Sequence, residues 1–282
     1  MDIYTACMTG NICWLREQKA AGTLGDVTIA DDEALREAAA NGHLEVVKWL
    51  VEESGQNVDV TANDNVAVQL AAKNGHLDVV KWLVLESGQP VDVTADNEYA
   101  VRLAANNGRL DVVRWLVQDY SDWLDRRRLT DQENVQQAVD VTILDNGALR
   151  WAAESGHLDV VKWLVKDYND WVAAKKRENA QCIKKHVDIS VENYSAVRWA
   201  ATSHHMEVAR WLVEESGQVV DCRDCETWQT HSSFKFWPEE ITAYFRRIKE
   251  LQDTLGLDDW KIGLTELSTL PPASRLTSKT RI

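Results

Sequence analysis

The sequence predicts an all-α protein: a solenoid of stacked helix pairs with short loops, about five full repeats plus caps. Three observations predict it. Near-copies of one string recur: GHLEVVKWLV from Gly42, GHLDVVKWLV from Gly75, GRLDVVRWLV from Gly108 and GHLDVVKWLV from Gly156, with a degraded HHMEVARWLV from His204. The spacing is regular: 75 − 42 = 33, 108 − 75 = 33, 156 − 108 = 48 and 204 − 156 = 48, a period of 33 with two equal expansions of 15. Within each string the apolar residues fall at helical spacing; Leu77, Val80, Trp82, Leu83 and Val84 make a broad stripe, with Asp78 and Lys81 outside it.

Each string is preceded by a short Ala-rich segment, EALREAAAN, VAVQLAAKN, YAVRLAANN, GALRWAAES or SAVRWAATS, which predicts an inner helix. An Asn-Gly or Ser-Gly turn follows, where glycine suits the left-handed backbone just past a helix end. The string itself predicts an outer helix. After it comes a Val-Asp pair at 58–59, 91–92, 139–140, 187–188 and 220–221. Trp49, Trp82, Trp115, Trp163 and Trp211 hold one outer-helix place in five repeats, which predicts core positions.

The AAxxGHLEVVKWL core resembles the ankyrin repeat, whose typical unit reads TPLHxAAxxGHLEVVKxLLxxGADVN, over roughly residues 1–225. This variant is similar to arrays seen in protists, large DNA viruses and intracellular bacteria. Two features depart from the family. The TPLH start is missing; its places hold Val66-Ala67-Val68-Gln69 and Tyr99-Ala100-Val101-Arg102, for instance. The link from the Val-Asp pair to the inner helix is also three residues shorter than the family's, so short fingers are expected instead of hairpins.

Residues 1–30 read as an N-terminal capping repeat, with Ile3, Cys7, Ile12, Trp14 and Leu15 to cover one side of the first full repeat. Residues 31–225 are the repeats. Repeats three and four carry the two expansions, and these align without gaps, Tyr120 with Tyr168 and Trp123 with Trp171. Their apolar spacing continues that of the outer helix, so both outer helices are expected to run about two turns longer and pack side by side. Both end in basic runs, Arg126-Arg127-Arg128 and Lys175-Lys176-Arg177. Two readings stay open for these: solvated helix C-termini, which favour cations, or a docking ledge for an acidic partner. Residues 226–267 are expected to form a C-terminal capping helical segment, starting near Pro238 with an apolar stripe through Ile241, Tyr244, Phe245, Ile248, Leu251 and Leu255. Residues 268–282 read as a flexible tail whose last three, Thr280-Arg281-Ile282, fit the loose terminus that PDZ-type domains capture.

The formal charge of −14 argues against nucleic acid and favours basic protein partners. Five cysteines lack a repeat pattern, so no disulfide framework is expected. The start MDIYTACMTGN carries neither a basic opening nor an apolar run, and no stretch approaches a membrane span, which points to a cytoplasmic home, with the nucleus or a host-cell cytosol as alternatives. Cys222-Arg-Asp-Cys225 and His231 raise zinc as an alternative, but the CxxC falls where other repeats place a turn, so neither metal nor cofactor is expected. No phosphate loop, HExxH pair or GxSxG elbow appears, and an enzyme is not expected.

The resemblance implies a protein–protein interaction module that binds through a concave face of loops and inner helices. The repeat pattern places Lys73, Asn74, Asn106, Asn107, Glu154 and Ser155 on that face, and the preceding loops add Asp64, Asp96, Glu98, Asp145 and Glu192. Asp31, Asp32 and Glu33 belong to the same row, as do Thr202 and Ser203 to the inner pairs. A second contact is expected on the extended helices. The alternative is a targeting arm whose activity lies in the C-terminal segment or in another chain.

Overall fold

The structure is a computed structural model and describes residues 1–128, 137–178, 184–223, 225, 237, 239–257 and 259–261. The chain divides into two compact bodies, residues 1–187 and 188–282.

The first body opens with α1 (Ile3–Met8) and α2 (Ile12–Ala20). Asp2 and Asn11 cap them, each side-chain oxygen accepting a backbone N–H three residues on. Four helix pairs follow: α3 (Ile29–Ala40) with α4 (Leu44–Lys48), α5 (Ala62–Asn74) with α6 (Leu77–Leu85), α7 (Ala95–Asn106) with α8 (Leu110–Arg114), and α10 (Ile143–Glu154) with α11 (Leu158–Lys162). The inner helices α1, α3, α5, α7 and α10 lie side by side in chain order. The five repeat tryptophans are 1–6% exposed, as core positions should be. Four of the five outer helices pass into a π-helical turn at that tryptophan, Trp49–Glu53, Trp115–Asp119, Trp163–Asp167 and Trp211–Glu215.

The turn glycines are held in place by the next repeat. Gly42, Gly75 and Gly108 have φ of +74°, +86° and +66°. Against Gly108 lies the ring of His157, whose Nε2 is 3.0 Å from the Asn106 carbonyl at the end of the preceding inner helix. A carbonyl only accepts, so the ring nitrogen donates there. His43 meets Met8 O at 2.9 Å and His76 meets Ala40 O at 3.1 Å in the same way, and Arg109 Nε donates to Lys73 O in the repeat that lacks the histidine. The Gly-His dipeptide of the motif is therefore an inter-repeat joint: glycine supplies the room, and the next histidine ties off an orphan helix-end carbonyl.

No strand occurs among the described residues. Where the short link precluded a hairpin, every repeat makes a left-handed turn instead. Three consecutive residues have φ between +50° and +65°: Ala30-Asp31-Asp32, Asn63-Asp64-Asn65, Asp96-Asn97-Glu98, Leu144-Asp145-Asn146 and Glu192-Asn193-Tyr194. Ten of these fifteen are Asn or Asp, the non-glycine residues that tolerate this region best. Side chains five or six places on hold the turn's carbonyls: Gln69 Nε2 donates to Asp64 O, Arg102 to Asp96 O and Asn97 O, and Arg198 to Glu192 O. Arg102 is also flanked by Tyr99 and Trp151, its guanidinium carbon 5.1 and 4.8 Å from their ring centres.

The Val-Asp pair just before each turn is bonded from two sides. The third residue of one turn accepts from the aspartate amide of the next pair: Asp32 from Asp59, Asn65 from Asp92 and Glu98 from Asp140. A glutamine from a Ser-Gly-Gln triplet brackets this place, Val58-Asp59 or the equivalent Gly25-Asp26. Gln56 donates to Gly25 O and accepts from Val27, and Gln89 donates to Val58 O and accepts from Val60.

Both expanded outer helices continue, as α9 (Tyr120–Arg128) and α12 (Tyr168–Glu178). Tyr120, Leu124, Tyr168 and Val172 are 3% exposed or less. Tyr120 stacks on Trp123 at 5.6 Å between ring centres, and Tyr168 packs against Trp171 at 5.8 Å with the rings tilted by 36°. The two helices are bridged by Lys175, whose Nζ is 2.7 Å from Asp122 and 3.6 Å from Asp125. Because these side chains are a quarter to two-fifths exposed, Lys175→Met is expected to cost only about 0.5–1 kcal/mol in urea denaturation, as solvated ion pairs do. A loss several times larger would mean that the bridge, not the buried tyrosines, holds the extensions.

The second body holds α13 (Val191–Thr202), α14 (Met206–Arg210) and α15 (Glu239–Leu255). His204 keeps the turn conformation at φ +65° where other repeats have glycine. Ile241, Phe245, Ile248 and Leu251 of α15 are buried. Trp237 Nε1 donates to Thr202 Oγ1, and Tyr244 OH donates to Glu214 at 2.7 Å. Gln252, 2% exposed, donates to Val220 O and accepts from the Cys222 amide. It brackets the last Val-Asp pair as the Ser-Gly-Gln glutamines bracket the earlier ones.

Candidate functional site

The surface expected to recognise a partner resolves into residues that face solvent and residues that stitch the repeats together. In the first body Asp31, Asp64, Asp96 and Asp145 are exposed on the left-handed turns, and Lys73 is exposed beside the turn glycine. The turns stand next to one another; Asn63 Nδ2 lies 3.3 Å from Asp31 Oδ2 of the preceding turn. In the second body Glu192 is exposed. These five acids occupy the first or second place of their turn, which points away from the seam.

Glu98 and Asp32 correct the sequence expectation. Both were expected in the acidic row facing a partner, yet they are 4% and 5% exposed. Each is the third residue of its turn, and that place points into the seam to accept an amide of the next Val-Asp pair. Several inner-face residues are also engaged within the array. Asn74 Nδ2 donates to Ala40 O, Asn106 Nδ2 to Ser155 Oγ and Asn107 Nδ2 to Leu103 O of its own helix. Asn74, Asn106, Asn107, Glu154 and Ser155 are all half-buried.

The basic runs divide similarly. Arg126, Lys176 and Arg177 are exposed. The Arg127 guanidinium lies 4.8 Å over Trp123, and Lys175 is spent on Asp122 and Asp125. Arg128 ends α9, and its side chain lies outside the described residues. Lys184 Nζ donates to Ser121 Oγ at 2.9 Å and lies 5.0 Å over Trp171.

Among the described residues no three His, Cys, Asp or Glu side chains converge as a metal site. Cys222 and Cys225 are buried, and burial first, then the neighbouring Cys225 and Asp221, pushes the Cys222 thiol far up from its ordinary value. His231 lies outside the described residues, as do residues 268–282 with the Thr280-Arg281-Ile282 terminus. Cys7 is likewise buried, its thiol pushed up to about 12 by burial and by Glu37. Thiols held protonated in this way are poor nucleophiles. No described helix is long and apolar enough to cross a membrane.

Sequence reasoning missed the two devices that join the repeats. The recurrent Ser-Gly-Gln at 54–56, 87–89 and 216–218 was a visible signal for the glutamine bracket. The left-handed turns had a fainter one, the Asn/Asp pairs at the start of four of the five inner helices.

The family model described as ankyrin repeats (3 copies) matches the chain at residues 3–97, 35–127 and 68–224. The chain is an ankyrin-repeat protein. Ankyrin repeats are generally protein–protein interaction modules, and that is the sense in which its surfaces are read. The X-ray structure of an ankyrin repeat family protein from Legionella pneumophila is similar at 20% identity, covering 83% of this chain and 70% of that one, with a TM-score of 0.34. No curated protein matches the ankyrin-repeat chain in sequence.

Proposed function

We propose that this ankyrin-repeat protein is an adaptor that binds a basic segment of a partner protein along its left-handed turns. The observation that carries this reading is the recurrence of an exposed acid on successive turns, Asp31, Asp64, Asp96 and Asp145, in a chain of net charge −14. Stacked repeats present such a row at regular intervals, so a basic segment meets several carboxylates at once, and complementary fields speed its encounter. Lys73 and Glu154, at the other ends of their inner helices, add further polar contacts. Glu192 extends the same chemistry in the second body. Arg126, Lys176 and Arg177 on the extended helices are a second contact, for an acidic part of the same partner.

Residues 1–30 and the segment around α15 act as caps rather than as active parts. The support is that α15 brings its apolar stripe and Gln252 onto the last repeat, which removes the territory a separate activity would need. The protein then works without an activity of its own, in a cytoplasmic setting.

The test is affinity capture with the wild-type chain beside two variants, Asp64→Lys/Asp96→Lys/Asp145→Lys and Arg126→Glu/Lys176→Glu/Arg177→Glu. The first variant is expected to weaken capture of the main partner by about tenfold or more, with a steeper loss at low salt. Capture unchanged by the first variant and lost with the second would move the principal site to the extended helices.

A further inference from the structure

We propose that Glu98 is a proton-controlled latch between repeats three and four. Its side chain is 4% exposed at the seam. Oε1 accepts the Asp140 amide at 3.0 Å, while Oε2 has no hydrogen-bond partner among the described residues. A buried carboxylate satisfied on one oxygen alone is costly, and a neutral carboxylic acid in the same place costs far less. The neighbouring repeats show what the place requires: Asn65 and Asn146 hold the same register, and Asn65 Oδ1 accepts the Asp92 amide at 3.0 Å. A protonated glutamic acid offers the same accepting oxygen without charge, as the asparagine amide does. Ionisation leaves the bond and adds an uncompensated charge to the seam.

The surroundings sharpen this. The groups facing Glu98 are Asp140 and Asp92, both acidic, and the cation Arg102 on its own helix. Asp140 is itself 3.7 Å from exposed Lys185. Arg102 gives most of its hydrogen bonding to the carbonyls of Asp96 and Asn97 and is stacked by Tyr99 and Trp151, so it is committed elsewhere. Burial first, then the charges of Asp140 and Asp92, push the Glu98 carboxyl up to about 8, against the lowering pull of the Asp140 amide and Arg102. A carboxyl whose folded value lies above its unfolded value of 4.5 stabilises the fold while protonated. That contribution is complete below about pH 4.5 and is lost as pH rises toward about 8. Asp32 repeats the arrangement between repeats one and two: its Oδ2 accepts the Asp59 amide at 3.2 Å, its Oδ1 has no hydrogen-bond partner among the described residues, and burial with the charges of Asp59, Asp31 and Asp26 raises its carboxyl. Two of the seams thus carry a titratable residue where others carry asparagine. Raising the pH loosens them selectively.

The experiment is a carbon-detected NMR titration of the glutamate carboxyls from pH 4 to 9 on the full chain, with Glu98→Gln to assign the Glu98 signal. The expected result is a Glu98 midpoint well above the ordinary carboxylate range, followed at the same midpoint by the Asp140 amide and absent from Glu98→Gln. The urea midpoint of wild type should fall across this window, by up to roughly tenfold in the unfolding constant per pH unit, while Glu98→Gln stays flatter. The converse Asn65→Asp should create a new titration sensed by the Asp92 amide, and it tests the proposal even if Glu98→Gln fails to fold. A Glu98 midpoint near 4.5, or a raised midpoint that the Asp140 amide ignores, overturns it.

Discussion

Gly108→Ala is expected to destabilise the first body by about 2–4 kcal/mol. Two effects add. An alanine at φ +66° carries a backbone penalty of about 1–2 kcal/mol, since Cβ approaches its own carbonyl in the left-handed region. Its Cβ would also sit 2.5 Å from Nδ1 of His157, so the ring must move and its bond to Asn106 O is lost, at a further cost of about 1–2 kcal/mol. Gly88→Ala separates the terms: φ is +76°, yet no described atom lies within 4 Å, so only the backbone penalty of about 1–2 kcal/mol should appear. Urea denaturation of the three proteins at one pH gives the comparison. Equal losses at the two glycines would show that the histidine joint contributes nothing.

Gln252→Ala is expected to cost about 2–6 kcal/mol in the second body, and to release α15 before the rest of that body unfolds. The substitution leaves Val220 O and the Cys222 amide without their partner in a site closed to water, and each orphaned group costs about 1–3 kcal/mol. Alanine is a good helix former, so α15 itself is not weakened. The buried Ile241, Phe245 and Ile248 remain to hold it in part. Amide exchange should therefore accelerate first at Cys222 and along α15, with the helices of the repeat protected longer. Uniform acceleration across the second body would contradict a local role for the glutamine. Gln252→Glu offers a sharper comparison: it keeps the accepting oxygen for Cys222, but while ionised it sets a buried carboxylate oxygen against Val220 O. Its loss should therefore exceed that of alanine at high pH and shrink once the acid is protonated and can donate to Val220 O.

The same physics explains what could be read before any coordinates. Apolar spacing depends on local geometry alone, so the strings from Gly42 to Gly156 marked outer helices, and the aligned expansions marked α9 and α12. The repeat tryptophans marked the core. The acids of the turns were visible as a row, but not which of them face water. Asp31 and Asp32 are neighbours in sequence, yet one is exposed and the other lies in the seam. The difference arises because a left-handed turn rotates successive side chains to different sides, and the Asn and Asp residues that favour such a turn do not say which of them faces the seam. The basic runs were read in the same way. Only the stacking of Arg127 on Trp123 and the pairing of Lys175 with Asp122 and Asp125 show which charges remain for a partner.

The period, the helix pairs and the family were determined by sequence alone, because repetition writes each local preference several times. The joints were decided by tertiary structure. A glycine takes its role from the ring of a histidine 49 residues on, and Gln252 from a loop 30 to 32 residues back. Glu98 depends on an amide 42 residues away. Such groups are buried and paired only once neighbouring repeats stack, and desolvation then sets whether a carboxyl is a surface charge or a protonated latch.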